Sequence, residues 1–225
     1  MALEQTYVVE KPCPVCGKTT HVIKVRSRLI AEKTDWDYCT WYKGFNPYMY
    51  MIWVCEHCGF AADEKVFLAA MPDRYKKKVG DFLTKRHISF KFQDVRGVPE
   101  AVASYKLALL FAEMMDASLA HQAGLYLKLA WIFRITGNKD EEKANLTKAA
   151  ELYEQSVMKE RYPIGPMTDS MAIYLTGACY YMAGQPEQST QYISRLMGDS
   201  ALRTSEPKLF ERARDLWQDI REGQS

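Results

Sequence analysis

Four of the six cysteines stand as two Cys-x-x-Cys pairs, each followed by glycine: Cys13-Pro-Val-Cys16-Gly17 and Cys55-Glu-His-Cys58-Gly59. Two residues between the cysteines allow a tight turn that aims both sulfurs at one ion. The glycine can take the positive φ that lets backbone amides point toward thiolate. Two such knuckles supply four soft ligands, the donor set of a closed tetrahedral zinc site. The expected metal ligands are therefore Cys13, Cys16, Cys55 and Cys58, and the expected cofactor is one structural Zn2+. Such a site leaves no position open to water or substrate, so it serves folding rather than catalysis.

The remaining chemistry-bearing residues carry weaker patterns. Cys39 and Cys179 are isolated. A redox thiol or a replacement ligand is one reading of Cys39; a buried, inert cysteine is the expected one for both. His57 lies inside the second knuckle and could ligate, but four cysteines complete the shell, so it is expected to face solvent. His21, His87 and His121 are scattered. Asp35 and Asp37 flank Trp36 and could hold a ligand, although turn hydrogen bonding is the favoured role. Lys76, Lys77 and Lys78, with Lys85 and Arg86, form a basic patch that could contact phosphate and is expected to be a solvated face. The chain contains no G-x-G-x-x-G, G-x-S-x-G, P-loop or H-E-x-x-H pattern, and no catalytic residue is assigned.

The elements that must position the cysteines follow from composition. The 225 residues are 48% hydrophobic and 26% charged, ordinary values for a soluble globular protein. Met1, Ala2, Leu3 and Glu4 offer neither a basic start nor an apolar run, so no signal peptide is expected and the protein is read as cytoplasmic. The longest uncharged stretch, residues 170–186, carries polar residues and three Gly/Pro, a poor membrane span. In a reducing compartment paired cysteines point to metal rather than to disulfides. Four thiolates and one Zn2+ add a net −2, which brings the formal +2 of the chain to about zero.

Charge and aromatic content divide the chain near residue 98. Residues 1–98 hold 16 Lys/Arg and 11 Asp/Glu, a formal +5; the remainder holds 14 and 17, a formal −3. Nine aromatic residues fall between Trp36 and Phe60, a density that with intervening turn residues suggests strands. Strands are expected over residues 6–9, 20–25, 38–42 and 48–54, with a turn at 43–47, and an amphipathic helix over 73–85 is followed by a connector over 86–98. Beyond that point the pattern is helical. Apolar stripes run through Leu107, Leu110, Phe111 and Met114; Leu125, Leu129, Ile132 and Phe133; and Ala144, Ala149, Leu152, Tyr153 and Val157. A fourth helix starts near Thr168 or Asp169 and ends at Gly184, a fifth covers 186–196, and the last buries Leu209, Phe210, Ala213, Leu216, Trp217 and Ile220.

The helices come in pairs. Aligning Gly137 with Gly184 superposes Ala130 on Gly177, Phe133 on Tyr180, Leu146 on Ile193 and Ala149 on Leu196. A small residue at a close helix crossing, with an aromatic four positions before the turn glycine, is tetratricopeptide logic, at a 47-residue offset rather than the usual 34. A plain helical bundle with the same core is the alternative. The expected fold class is α+β: a zinc-ribbon-like β module over 1–71, an amphipathic helix and connector over 72–98, and a tetratricopeptide-like helical domain over 99–225.

The order Cys13-Pro-Val-Cys16-Gly17, Asp35-x-Asp37, Gly44-x-Asn46-Pro47-x-x-Tyr50, Trp53-Val54-Cys55-x-x-Cys58-Gly59-x-Ala61-Ala62 and Phe67 resembles an uncharacterised bacterial protein family, typical of Firmicutes. That family joins an N-terminal zinc-ribbon-like part to tetratricopeptide-like helices. The resemblance covers most of the chain and is specific over residues 13–67. It implies a bacterial cytoplasmic protein and carries over no catalytic residue. Three functions compete. The first is a non-catalytic interaction protein whose helical groove takes a protein or peptide partner. The second is a zinc ribbon that binds nucleic acid through the basic, aromatic front. The third is a thiol enzyme using Cys39.

Overall fold

The chain folds as an α+β protein, in a computed structural model that describes residues 5–84, 92 and 95–223. The sequence-predicted connector over 86–91 and 93–94, the residues Lys85, Arg86 and His87, and the first four residues lie outside the described residues. Two compact units form: Met1–Lys33 with Trp41–Ala117, and Thr34–Thr40 with Ser118–Ser225. No described helix is long and apolar enough to cross a membrane.

The first unit is built on hairpins. Strand β1 (Thr6–Pro12) pairs antiparallel with β2 (Thr19–Val25), in a register that sets Thr6 opposite Val25 and Pro12 opposite Thr19. The short strands β3 (Ala31–Thr34) and β4 (Thr40–Tyr42) form a second ladder, whose turn end, Thr34–Thr40, counts with the second unit. Strand β5 (Ile52–Val54) pairs with β6 (Ala61–Asp63) in a third, with Val54 opposite Ala61. Between the last two ladders residues 48–50 are not the expected strand. Asn46 accepts the Tyr48 amide through its side chain and Pro47 fixes the first φ, so Pro47–Tyr50 winds into a 3-10 turn. Helix α1 (Glu64–Leu68) starts directly from β6 on the Asp63 cap, and α2 (Asp73–Leu83) follows with Lys76, Lys77 and Lys78 on its exposed side.

Helix α3 (Val98–Met114) belongs to this unit, which therefore runs past the expected limit at residue 98. Its buried face is Ala101, Tyr105, Ala108, Phe111 and Ala112, whereas Leu107, Leu110 and Met114 of the sequence-predicted stripe are only half-buried. The reason is the partner: Phe111 meets Phe60 at 5.3 Å between ring centroids, Phe60 meets Phe67 and Phe67 meets Trp53, all in one aromatic core. Tyr105 donates its hydroxyl to the Tyr48 carbonyl. Arg96 lies buried beneath the 3-10 turn, donating to the carbonyls of Met49, Ile52 and Phe92; burial pulls its guanidinium down to about 10.

The second unit is helical: α4 (Leu119–Ile135), α5 (Lys139–Lys159), α6 (Asp169–Met182), α7 (Pro186–Met197), the single turn α8 (Leu202–Ser205) and α9 (Pro207–Gly223). The α4 stripe and the α9 positions Leu209, Ala213, Leu216 and Ile220 are buried as the periodicity predicts, whereas Phe210 and Trp217 of the expected α9 face are only half-buried. Ala144 is exposed, and the α5 face turns instead on Leu146, Ala149, Leu152 and Tyr153. Two turns close alike. Gly137 and Gly184 both have φ near the left-handed region, at 80° and 74°. The amide after each glycine bonds back to the aromatic residue four positions before it, Asn138 to Phe133 and Gln185 to Tyr180. This double closure with glycine at the left-handed position is the Schellman stop. Between α6 and α7, a Cβ on Gly177 would lie 2.7 Å from Ile193 Cδ1, so the glycine permits the close crossing.

Candidate metal centre

Each cysteine pair caps a hairpin: Cys13 and Cys16 at the β1–β2 end, Cys55 and Cys58 at the β5–β6 end. The two knuckles repeat one backbone pattern. The first cysteine amide donates to the carbonyl five residues on, Cys13 to Lys18 and Cys55 to Phe60, at 2.9 and 2.8 Å. The glycine amide returns to that cysteine's carbonyl, Gly17 to Cys13 and Gly59 to Cys55. Both glycines hold positive φ, 73° and 81°, which an L side chain adopts at a cost. The space around Gly17 is open, so conformation alone calls for glycine there.

The four Sγ atoms converge to within 4.8 Å of one another. Cys13 Sγ lies 3.7 Å from Cys58 Sγ and Cys16 Sγ 3.8 Å from Cys55 Sγ. All four are free thiols. Amides of Cys16 and Val15 point to the Cys13 sulfur, and those of Cys58 and His57 to the Cys55 sulfur. Hydrogen bonding from Cys13 and Cys58 holds the Cys55 thiol well below its usual value. Cys13 is pushed up to about 12 by its bond to Cys55, and Cys58 is raised by Cys13 and Cys55. A dication at their centre would favour the thiolate at every sulfur.

A belt of hydrogen bonds ties the knuckles together outside the sulfurs. The Glu56 amide donates to Thr20 Oγ1 at 3.0 Å. The His21 amide and ring Nδ1 both meet Glu56 Oε1, at 3.0 and 2.9 Å. His57 Nε2 donates to the Thr19 carbonyl at 2.7 Å. His57 is thus exposed and engaged with backbone. Thr19, Thr20 and Glu56 carry no ligand pattern in sequence; only their adjacency to the cysteines marks them.

The other candidate residues lie elsewhere, in the second unit. Cys39 is fully buried and its thiol is pushed up to about 12, by burial first and then by Asp37. Cys179 is likewise buried and raised by burial. Neither has the exposed, cation-stabilised setting of a reactive thiol. The turn bond expected for the Asp35–Asp37 pair exists, because Asp37 Oδ1 accepts the Cys39 amide at 3.3 Å. It is the lesser part of their role. Asp37 is 0% exposed and its carboxylate takes both terminal nitrogens of Arg134 and the Trp131 indole N–H. Asp35 and Glu142 bond the same guanidinium. Arg134, Trp131 and Arg212, which meets the carbonyls of Asp35 and Trp36, stand in no motif that would mark them in the sequence.

Residues 7–220 match the model of a family described as "Uncharacterized protein conserved in bacteria (DUF2225)", and the chain belongs to that family. A search of curated proteins and a search of solved structures give no match.

Proposed function

We propose that this member of the bacterial family is a non-catalytic cytoplasmic interaction protein, whose first unit is stapled by one structural Zn2+ and whose helical unit binds a protein or peptide. The sulfur geometry carries the zinc half. A tetrahedral site with Zn–S bonds of about 2.3 Å has sulfur–sulfur edges of about 3.8 Å, and two separations across the knuckles are 3.7 and 3.8 Å. The donor set is four thiolates, soft and complete, which favours zinc or iron over hard cations and leaves no open coordination position. Cys13, Cys16, Cys55 and Cys58 would hold the ion, and the ion would supply folding energy to a module of three two-stranded ladders.

The paired helices with matching turns support the interaction half, since stacked helix pairs present extended binding surfaces. The nucleic-acid alternative has less support: Lys33 and Arg26 sit over the rings of Trp41 and Tyr7, on which bases would stack, and Trp53 is buried in the aromatic core. Elemental analysis of purified protein tests the proposal. About one zinc per chain is expected, lost in Cys13→Ser together with the fold of the first unit. Iron with visible absorbance would replace the structural reading by electron transfer.

A further inference from the structure

The second unit holds a segment that is distant from it in sequence. Thr34–Thr40 belongs with helices that begin at residue 119. Its grip is of a kind used to recognise peptides. Arg134 clamps the Asp37 carboxylate at 2.9 and 2.7 Å, and Trp131 Nε1 donates to the same group at 3.0 Å. The Trp36 carbonyl accepts the Tyr174 hydroxyl at 2.8 Å, while its indole N–H donates to Asp219 at 3.1 Å. Arg212 donates to the carbonyls of Asp35 and Trp36 and lies 4.4 Å from the Tyr38 ring centroid. Tyr38 has φ 67° and closes a tight turn of the segment itself, its amide donating to the Asp35 carbonyl while the Asp35 amide donates to that of Cys39.

The chemistry of the helical side is lopsided. Arg134, Arg212, Trp131 and Tyr174 are donors, and Asp219 is the acceptor for one indole. Such a set fits a segment rich in carboxylate and exposed carbonyls, with an aromatic ring on each side of the clamped acid. Apolar contact adds to this grip: Cys39 is fully buried and the Tyr38 ring meets Tyr174 edge-on at 5.7 Å between centroids.

We propose that the face formed by α4, α6 and α9 is a receptor for an acidic aromatic peptide of the Asp-Trp-Asp-Tyr kind, and that Thr34–Thr40 of the same chain fills it in cis. The inference rests on reading the helical unit as a peptide binder and names both its site and its regulation. A partner segment of the same chemistry gains entry only by displacing the resident one. A tethered occupant competes at an effective concentration of about millimolar, so the resident segment sets a threshold for partner binding.

A labelled synthetic peptide covering residues 32–42, with serine in place of the cysteine, tests this by fluorescence anisotropy on the full chain. The double variant Trp36→Ala, Asp37→Asn loosens the resident segment and is expected to bind the peptide on the order of 10-fold to 100-fold more tightly than the wild type. Arg212→Ala added to it removes the gain. A variant that keeps its far-UV spectrum and binds no more tightly than wild type overturns the proposal. Should the double variant not fold, Trp36→Phe, which keeps an aromatic ring but loses the indole N–H bonded to Asp219, is held to the same criterion. A partner captured by the wild type and retained equally by Arg212→Ala would preserve the interaction reading while removing this site from it.

Discussion

Asp37 and Arg134, 97 positions apart, meet in a two-pronged pair at 2.9 and 2.7 Å, with the carboxylate wholly buried and the arginine side chain 7% exposed. Burial opposes the arginine's charge, yet the hydrogen bond and charge of Asp37, with the hydrogen bond of Glu142, outweigh it and raise the guanidinium further. Breaking one side of such a pair leaves a charge without its best partner. Asp37→Ala is expected to cost about 3 kcal/mol, read as a lower urea midpoint of the helical signal. Asp35 and Glu142 keep the loss from being larger. An unchanged midpoint would show that the pair contributes nothing net.

A Cβ placed on Gly17 would have no neighbour within 4 Å, so substitution there isolates the backbone contribution. Gly17→Ala is expected to cost about 1–2 kcal/mol and to weaken metal retention against a chelator. Asn, which tolerates the left-handed region, should restore part of the loss. Equal behaviour of the alanine and asparagine variants would remove conformation as the cause.

Two helix-interior glycines in the second unit should respond in opposite directions. Gly124→Ala meets only ordinary contacts, the Tyr153 hydroxyl at 3.5 Å, and should gain about 0.5–1 kcal/mol from helix propensity. Gly177→Ala drives a methyl to 2.7 Å from a fully buried Ile193. Overpacking of about 1–3 kcal/mol outweighs the propensity gain, and the midpoint should fall. Combining it with Ile193→Ala should give a smaller loss than the sum of the two. Thermal or urea unfolding of these variants beside the wild type decides it.

The pH response of the knuckle belt has a definite sign. The hydrogen bond to Glu56, then its charge, raises the His21 pKa, and His21 in turn lowers that of Glu56. A raised histidine contributes stability that is fully present below its unfolded value near 6.5 and fades as pH rises through the folded value. A lowered carboxyl contributes above its unfolded value and fades as pH falls through the folded one. The link should therefore be strongest in mildly acidic solution and weaken toward pH 8. An NMR titration of the His21 ring should give a value above 6.5 that falls in Glu56→Gln, with Glu10 keeping a smaller part of the rise. A His21 midpoint at or below 6.5 in the parent protein would contradict the pairing.

The knuckles are legible in the sequence because their chemistry is local: cysteine spacing and the following glycine specify turn and ligand together. The helices from 119 onward are legible because their periodicity is long. Helix α3 is recognisable as a helix, but its neighbours are not those that its place in the sequence suggests. An apolar stripe says that a face is buried without saying against what; Phe111 answers to Phe60. At Pro47–Tyr50 the alternating aromatics suggest a strand, and the Asn46 cap with Pro47 decides otherwise. Strand β3 is exposed throughout and leaves no hydrophobic trace. The pairing of Asp37 with Arg134 joins residues far apart in the chain, and no local pattern announces it.

The order of residues along the chain gives the cysteine centre one more property. Thr34–Thr40 lies between Cys16 and Cys55. An ion held by both knuckles therefore turns the intervening 38 residues into a closed ring that carries this segment on its circumference. A single proteolytic nick on that ring before Thr34 would leave the two fragments tied through the metal, and chelation would remove that tie.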